Sequence, residues 1–570
     1  MRKSTKLFKT TAVIAMATCL AMSGVACAGR GNDETVNTEM SQLNIGSWNG
    51  DFHLTWLNKL ADRFMAENTE TVFEEGKKGV QVWVNQGNYC YDAVATSLPG
   101  DTNDIVVSEQ GNYMGFVNKS ALDITDAITT PLTEYGESKT IADKMSKQVW
   151  DYYGIGESED ANQRTYYGLP WYETYMGLSY DIEVFEDENL YFAAEGEGRD
   201  GFVVNEKTPK SKGPDGVENT SDDGLPATYD EFFLLLDKMY DLGMEPIAWG
   251  GNAQVYLNNF LYALAADYEG YDSMLTNFTF EGETKIVSKV NADGTIELED
   301  FTVSAAEGYK LKQQAGYYYG LQFLDRLLTT KDVEGDPKYY DPNHSTTSGF
   351  THRMVQSNFL RAGYVEGVSK RIGILLDGSW WHSGAEDVFA TMSSIQGGSA
   401  TERRLGWMPI PKVDNEHLGE ATYFNNWMSN INVRGNVEKS QIPLIKQFIR
   451  FMHTDKSLSE FTRLTSSVRP FEYELTAEDE AITTEFGKQQ LNIHMNSKVV
   501  NPWSKHPLMM NNYSAFMLNE TAFTSIVGGS SNNIISLALR TGVSGKAYFE
   551  GFKKQYTEES WKNNYSKYFD

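Results

Sequence analysis

Aromatic rings paired with carboxylates or amides stand just after the ends of several predicted strands. The set is Asn49 and Asp51, Ser108 and Glu109, Trp171, Tyr172 and Glu173, Trp249 and Asn252, and Trp380 and Trp381. Tryptophan and tyrosine rings suit flat, amphipathic ligands, and carboxylates hydrogen-bond the hydroxyl groups at a ligand's edge. In open α/β sheets, ligands bind outside the carboxyl ends of the strands. The set therefore predicts one common cleft for a flat, amphipathic ligand, with Trp380 or Trp381 as a stacking surface.

Other interpretations of these residues stay open at this point. Both tryptophans could instead fill the gap between a strand end and the following helix, as core residues. A glycoside hydrolase or a lyase could also use aromatic subsites. A hydrolase needs two carboxylates at a set separation, and Asp51 with Glu173 is the candidate pair among the 78 acidic residues. A surface module that senses sugars is a third alternative.

The elements that must position these residues alternate between strand and helix patterns. The segment LNIGSWNG predicts a strand that runs into a glycine-rich loop, and VQVWVN and DIVVSEQG predict two further strands. Between them lies a helix with Trp56, Leu57, Leu60, Phe64 and Met65 on one face. This order is typical of a mainly parallel sheet.

Further elements follow along the chain. The segment YYGLPWYETYMGLSYDIEVF predicts a strand pair, and EPIAWGG predicts another strand that ends in glycine. Thr228 with Glu231 forms a capping box at the start of a helix. A hairpin should turn at 291–294. Helices fit 315–328, 440–453 and 458–465, and 195–225 has the composition of a surface insertion.

The N-terminal residues predict export and lipidation. A basic start followed by a short apolar run ends in Val25-Ala26-Cys27, which resembles a bacterial lipobox with Cys27 as the lipidated residue. An ordinary cleaved signal peptide is the alternative. Cys90 would then be the one cysteine in the folded part, so we expect no internal disulfide.

Charge and loop composition bear on other ligands. The net charge of −29 disfavours nucleic-acid binding, which needs clusters of lysine and arginine. The segment GPDGVENTSDDG concentrates oxygen ligands, and Asp215, Asn219, Asp222 and Asp223 could hold a structural Ca²⁺. A plain solvated acidic loop is the alternative interpretation. No other cofactor is expected.

In their order along the chain, six motifs resemble one family over most of residues 40–475. They are NIGSWNGDFHLTWLNKLADRFMAEN, TNDIVVSEQGNYMGFVNKSALDITDAI, YYGLPWYETYMGLSYDIEVF, GILLDGSWWHSGAED, RRLGWMPIPK and ATYFNNWMSNINVRGN. Together they resemble the type-1 extracellular solute-binding proteins, the maltodextrin-binding-like receptors of sugar ABC importers. By position, the same resemblance adds Asn426 and Trp427 to the cleft residues.

The resemblance implies a two-lobe, periplasmic-binding-protein-like α/β fold, with a mainly parallel sheet in each lobe and a hinge of about three crossings. The implied organisation is a signal peptide at 1–26, a tether at 27–40, the first lobe at 41–165, the second lobe at 166–415, a return to the first lobe at 416–470, and a second-lobe tail with C-terminal helices at 471–570. It also implies a monomeric receptor that binds an oligosaccharide, performs no catalysis and delivers its ligand to ABC permease subunits. Such a receptor would sit on the outer face of a Gram-positive cell membrane through its lipid anchor.

Overall fold

The computed structural model describes residues 35–90, 93–109, 113–117, 120–368, 370–425, 429–511 and 534–569. Its strands are β1 (Ser41–Ser47), β2 (Val80–Gln86), β3 (Ile105–Ser108), β4 (Gly168–Leu169), β5 (Met176–Asp181), β6 (Glu245–Ala248), β7 (Glu283–Val290), β8 (Ile296–Thr302), β9 (Ile372–Gly378), β10 (Leu405–Met408), β11 (Thr422–Phe424), β12 (Asn430–Val433) and β13 (Lys498–Val500).

The helices connect and cover these strands. They are α1 (Thr55–Glu67), α2 (Val94–Ser97), α3 (Tyr113–Val117), α4 (Thr125–Thr129), α5 (Lys147–Tyr153), α6 (Ile182–Asp187), α7 (Tyr229–Asp241), α8 (Val255–Thr279), α9 (Ala315–Thr329), α10 (Pro342–Ser345), α11 (His352–Arg361), α12 (Trp381–Gly384), α13 (Glu386–Met392), α14 (Ile442–Phe451), α15 (Asp455–Thr465), α16 (Ala477–Glu480), α17 (Glu485–Asn496), α18 (Ile534–Arg540), α19 (Gly545–Gln555) and α20 (Glu558–Tyr565).

Lobe 1 is built on a sheet with strand order β2-β1-β3-β12-β4. Strands β1, β2 and β3 are mutually parallel, whereas β12 is antiparallel to both of its neighbours. Helix α1 covers this sheet with the predicted face, because Trp56, Leu57, Leu60 and Phe64 are buried. The periodicity in the sequence therefore identified both the helix and its inward side.

Lobe 2 is built on a sheet with strand order β10-β5-β9-β6. Here β6 and β9 are parallel, and β5 is antiparallel to both β9 and β10. Each sheet thus has one reversed strand in an otherwise parallel arrangement, as the predicted two-lobe α/β fold requires. In each lobe, the reversed strand is the one by which the chain enters that lobe from the other.

Segments that cross between the lobes lie side by side and form a hinge. We use this name for residues 170–175, 425 with 429, and 466–473. The backbone N–H of Glu173 donates to the Val468 carbonyl at 2.9 Å, and that of Trp171 donates to Ser429 Oγ at 3.0 Å. These bonds hold the three segments together at the point about which the lobes would rotate.

The predicted strand pair in YYGLPWYETYMGLSYDIEVF is wrong in its pairing. Strand β4 joins the sheet of lobe 1 and β5 joins the sheet of lobe 2, so the two never hydrogen-bond each other. Lobe 1 therefore extends past the predicted boundary at residue 165. The two strands cannot pair because the segment between them crosses from lobe 1 to lobe 2 and does not form a tight turn.

Other local predictions are confirmed. The Thr228 side chain accepts a hydrogen bond from the Glu231 N–H at 3.3 Å and begins α7. The Glu231 carboxylate accepts from the Ala227 N–H at 2.7 Å and also interacts with the Thr228 backbone. Strands β7 and β8 form the predicted hairpin. Helices α9, α14 and α15 lie where the apolar periodicity placed them.

The chain termini bear on export and anchoring. Residues 1–34, including Cys27, lie outside the described residues, so lipidation of Cys27 stays a prediction. In the part of the chain that the structure describes, no helix is both long and apolar enough to cross a bilayer. Cys90 is buried and free of any disulfide. Helices α18 and α19 pack against α9, and α20 contacts residues 305–313.

Candidate functional site

Asp51 lies where the two lobes touch. It follows β1 in lobe 1, and its Oδ1 accepts a hydrogen bond from Arg353 Nη2 of lobe 2 at 2.8 Å. His352 Nε2 lies 4.0 Å from the same oxygen. Gly384 is so close that an added Cβ would stand 3.0 Å from Asp51 Oδ1. The loop after β1 therefore meets the start of α11 and the end of α12 directly.

Further polar and aromatic groups surround this contact. We call the whole set the junction cluster, and it comprises Asp51, Glu109, Tyr256, His352, Arg353, Asp377 and Trp380. The members come from loops and termini in both lobes: the loop after β1, the end of β3, the starts of α8 and α11, and the end of β9. Because these elements converge at one edge of each sheet, the cluster occupies the location expected for a ligand site.

Asp377 is a carboxyl group that burial keeps protonated. It is 1% exposed, and burial raises its pKa to about 8, with the nearby charge of Asp51 adding to the shift. Gln356 Nε2 donates to it at 2.9 Å and the Gly378 N–H donates at 2.7 Å. At neutral pH this group can therefore both donate and accept hydrogen bonds.

The remaining titratable members respond to the same environment. Burial raises the pKa of Glu109 well above its usual range, and Asp51 raises it further. Burial lowers the pKa of His352, against the opposing effect of Asp51. Burial likewise raises the pKa of the Tyr256 hydroxyl, with Asp377 and Asp51 contributing. The cluster is thus rich in neutral hydrogen-bonding groups around one charged pair, Asp51 with Arg353.

Trp380 is the predicted tryptophan that reaches the cluster. Its ring stands edge-on to Tyr256, with centroids 5.8 Å apart and planes at 76°. The ring covers Gly378, where an added Cβ would lie 2.1 Å from the indole. Only glycine leaves room for this ring position, so Gly378 sets the orientation of Trp380. At 6% exposed, the ring is largely buried.

Trp381 is a core residue, which corrects its prediction as a stacking surface. Its indole N–H donates to Ser179 Oγ at 2.8 Å, and its ring contacts Phe359 and Phe486 edge-on. Consecutive residues at a helix start project about 100° apart. Trp380 and Trp381 therefore cannot face the same cleft, and the core interpretation holds for the second of them.

Trp171 and Tyr172 belong to the first hinge segment, and their rings pack into the aromatic core of lobe 1. The Trp171 ring stacks on Trp56 with centroids 5.4 Å apart, and its indole N–H donates to the Ser108 carbonyl at 2.8 Å. The Tyr172 ring lies 4.9 Å from Phe52, and its hydroxyl donates to the Glu109 carbonyl at 3.3 Å. Trp171 is thus not an exposed platform, while Tyr172 supports the backbone of Glu109.

Three other predicted ligand residues have structural roles. Ser108 is buried in β3, and its hydroxyl points to the Asn430 carbonyl of β12. Trp249 is fully buried, with its ring 5.0 Å from that of Tyr340. Asn252 accepts a hydrogen bond from the His352 N–H at 2.9 Å. Asn252 therefore positions the start of α11, and with it His352.

Glu173 belongs to the hinge and not to the junction cluster. Its Oε1 accepts from the Tyr175 hydroxyl at 2.5 Å and lies 2.9 Å from His494 Nδ1. The side chain is buried against these partners. The hydrolase pair of Asp51 with Glu173 is therefore wrong, because Glu173 is committed to a structural network.

The structure shows little about the remaining predicted ligand residues, Asn49, Asn426 and Trp427. Asn49 lies part-buried in the loop before Asp51. Asn426 and Trp427 lie outside the described residues. The sequence patterns do not predict Tyr256, His352 or Arg353 as ligand residues. A partial signal exists for Tyr256, which stands at the start of the helix after the β6 strand-end loop, whereas α11, which begins with His352 and Arg353, follows α10 rather than a strand.

The acidic loop turns its carboxylates toward its own backbone. Asp222 accepts from the Asp215 N–H at 3.1 Å, and Asp223 accepts from the Asn219 N–H at 2.9 Å. Among the described residues, the three acidic or histidine groups whose ligand atoms lie within 4.8 Å of one another are elsewhere, namely Glu245, Asp341 and His344. Calcium binding by Asp215, Asn219, Asp222 and Asp223 stays a prediction.

Solved structures of similar shape cover almost the whole chain. A chitin oligosaccharide binding protein aligns with a TM-score of 0.54 and 13% identity, over 92% of this chain and all of its own. A structure reported for xylan utilization by Caldanaerobius polysaccharolyticus aligns with a TM-score of 0.53 and 11% identity, over 90% of this chain and 99% of its own. A probable secreted solute-binding lipoprotein from Streptomyces coelicolor aligns with a TM-score of 0.50 and 12% identity, over 91% of this chain and 99% of its own.

Comparison by sequence adds nothing to this likeness, since no protein-family model and no curated protein matches the chain. The similarity therefore rests on shape, together with the two sheets, the reversed entry strands and the hinge described above. We conclude that the chain has the two-lobe α/β fold of the extracellular solute-binding proteins.

Proposed function

We propose that the protein is an extracytoplasmic receptor that captures a carbohydrate between its lobes and passes it to an ABC importer. The carrying observation is the junction cluster, in which Asp51 and Glu109 of lobe 1 meet Tyr256, Arg353 and Trp380 of lobe 2. The likeness to a protein that binds chitin oligosaccharide supports a carbohydrate as the ligand. The same likeness favours an oligosaccharide over a monosaccharide.

The chemistry of the cluster suits a sugar. An aromatic ring such as Trp380 buries the C–H face of a sugar, and each Å² of apolar area removed from water contributes roughly 25 cal/mol. Carboxylate and guanidinium groups form strong hydrogen bonds with the hydroxyl edge. A few such contacts support a micromolar dissociation constant, which corresponds to about −8 kcal/mol.

Lobe closure would report the bound state to the importer. A ligand that contacts both lobes binds the closed form more tightly, so it raises the population of that form. Closure about a hinge between two rigid lobes is a common device of binding proteins. The side-by-side crossings at Glu173, Val468 and Ser429 support a rotation of this kind.

The anchor and location are part of the same proposal. The basic, apolar and small-residue pattern that ends in Cys27 supports export and lipidation. The similarity to a secreted solute-binding lipoprotein supports the same location. We infer that the mature protein is held on the outer face of the cell membrane of a Gram-positive bacterium, as a monomer.

One observation favours a second candidate, a glycoside hydrolase. Asp377 has its pKa raised to about 8 by burial, and Asp51 lies near enough to affect it. A protonated acid beside a second carboxyl group is also the arrangement of a glycosidase. Against this, Asp377 is enclosed in lobe 2, and Arg353 occupies the Asp51 carboxylate.

Binding and cleavage are distinguished in one experiment. The mature protein is incubated with neutral oligosaccharides, peptides and polyamines, its melting temperature is measured, and the same mixtures are run on thin-layer plates. The receptor predicts a rise in melting temperature with an oligosaccharide and no product. Product formation would establish the hydrolase instead. A rise with peptides or polyamines alone would refute a carbohydrate receptor.

A further inference from the structure

We propose that the junction cluster makes this receptor selective for uncharged saccharides and excludes those that carry carboxylates. This rests on the proposed function, and it names the class of sugar that the site accepts.

Three acidic side chains face the same junction. Asp51 comes from lobe 1 with Glu109, and Asp377 comes from the end of β9 in lobe 2. The charge of Asp51 acts on both of the other carboxyl groups. Burial favours the neutral form of Glu109 and Asp377, and Arg353 already balances the charge of Asp51. A carboxylate on a bound sugar would therefore add an uncompensated negative charge, which is costly in a partly desolvated site.

Cations to offset that charge are already engaged. Among the described residues, Arg353 is the one lysine or arginine side chain within 4.0 Å of a carboxylate of the cluster, and Asp51 holds it at 2.8 Å. His352 is largely uncharged at neutral pH, because burial lowers its pKa. An anionic sugar therefore meets no uncommitted guanidinium or ammonium group, the partners that bind carboxylates well.

A hydroxyl group meets a better match. The Arg353 and Asp51 side chains are 36% and 21% exposed, so they can offer donors and an acceptor to a ligand. Tyr256 supplies a hydroxyl group, and its pKa well above the ordinary value keeps it protonated. Sugar hydroxyls are donors and acceptors as well, so these groups can satisfy a neutral sugar without adding a charge.

The test compares matched sugars by calorimetry at neutral pH. One pair is xylotriose and xylotriose bearing a glucuronic acid branch, and a second is trigalacturonate and its fully methyl-esterified form, with triacetylchitotriose and raffinose as further neutral probes. We expect each neutral sugar that binds to exceed its acidic counterpart by about 100-fold in affinity. An acidic sugar that binds as tightly as its neutral partner would overturn the selectivity while leaving a sugar receptor. Absence of binding by every sugar would reject the proposed function itself.

A variant tests the origin of the selectivity. Asp51→Asn removes one negative charge and frees Arg353, so the ratio of neutral to acidic affinity should fall about 10-fold or more, whatever happens to absolute affinity. Asp300→Asn makes the same charge change on exposed β8, away from the cluster, and should leave the ratio unchanged. An unchanged ratio in Asp51→Asn, with native circular dichroism, would refute the assignment to this cluster. If that variant does not fold, Arg353→Gln tests the same pair, because it removes the balancing cation and should raise the ratio of neutral to acidic affinity.

Discussion

His494 of α17 lies between two acceptors at the hinge, and that geometry requires a charged imidazolium ring. Its Nδ1 is 2.9 Å from Glu173 Oε1, and its Nε2 is 2.9 Å from the Phe471 carbonyl oxygen. Neither partner carries a proton to donate, so both ring nitrogens must carry hydrogens. The ring thereby ties the first hinge segment to the third.

The pKa of His494 follows from this geometry. Burial alone would lower it, but the charge and hydrogen bond of Glu173, with the Phe471 carbonyl, raise it above the ordinary value. Two tyrosines, Tyr175 and Tyr473, also face this pair. Because the pKa is raised in the folded protein, the stabilisation is complete below the unfolded value of about 6.5. It is lost as pH rises through the folded value.

The perturbation we choose is His494→Gln, which keeps a polar side chain but removes the charge. Glu173 is 3% exposed, so it would lose its cation in a buried site. Breaking a buried charge pair costs about 3–5 kcal/mol. The Tyr175 hydroxyl still donates to Glu173, so we expect a loss near the lower end, about 3 kcal/mol, at pH 6. As pH rises through the raised pKa of His494, the wild-type ring loses its proton, so the loss should be smaller at pH 9 than at pH 6.

The assay is urea unfolding of the mature protein at pH 6 and pH 9. His417→Gln serves as the control, because His417 pairs with Asp414 at 2.7 Å on the exposed surface. Such a surface pair should change stability by less than about 0.5 kcal/mol at either pH. Equal losses for His494→Gln at both pH values would refute the charged ring, and a loss under about 1 kcal/mol at pH 6 would refute the buried pair.

Three further predictions concern the junction cluster and the anchor. Trp380→Ala should weaken sugar binding by about 1.5–3 kcal/mol in calorimetry. Trp381→Ala should instead lower the free energy of unfolding by about 3–5 kcal/mol, with little effect on the affinity of the folded protein. The reverse pattern would contradict the two assignments. Asp377 holds its proton in the fold, with a pKa near 8, so wild-type stability should fall relative to Asp377→Asn between pH 4 and pH 8 and then level off. Parallel stability curves for the two proteins would show that the carboxyl group is not buried as described. Cys27→Ala should move the protein from the membrane fraction to the medium, and unchanged membrane association would argue against lipidation.

Local patterns in the sequence were sufficient for the separate elements. The helical spacing of Trp56, Leu57, Leu60 and Phe64 identified α1 and its buried side, because a helix repeats every 3.6 residues. The Thr228 cap and the hairpin turn acted over a few residues in the same way. The rule that ligands bind beyond strand ends also located Asp51, Glu109 and Trp380, which the structure brings to one place.

What each strand-end residue contacts was decided by the tertiary structure. Asp51 and Arg353 are 302 positions apart in the chain, and no local pattern relates a loop of one lobe to a helix start of the other. Glu109 and Glu173 are both glutamates, yet Glu173 lies in the hinge and Glu109 lies at the junction. Trp380 and Trp381 are adjacent in the chain, yet Trp380 reaches the junction cluster and Trp381 packs in the core. The sequence alone determined which residues stand at the ends of strands, through periodicity and turn chemistry. The approach of the two lobes determined which of them meet, because side-chain partners depend on packing between segments far apart in the chain.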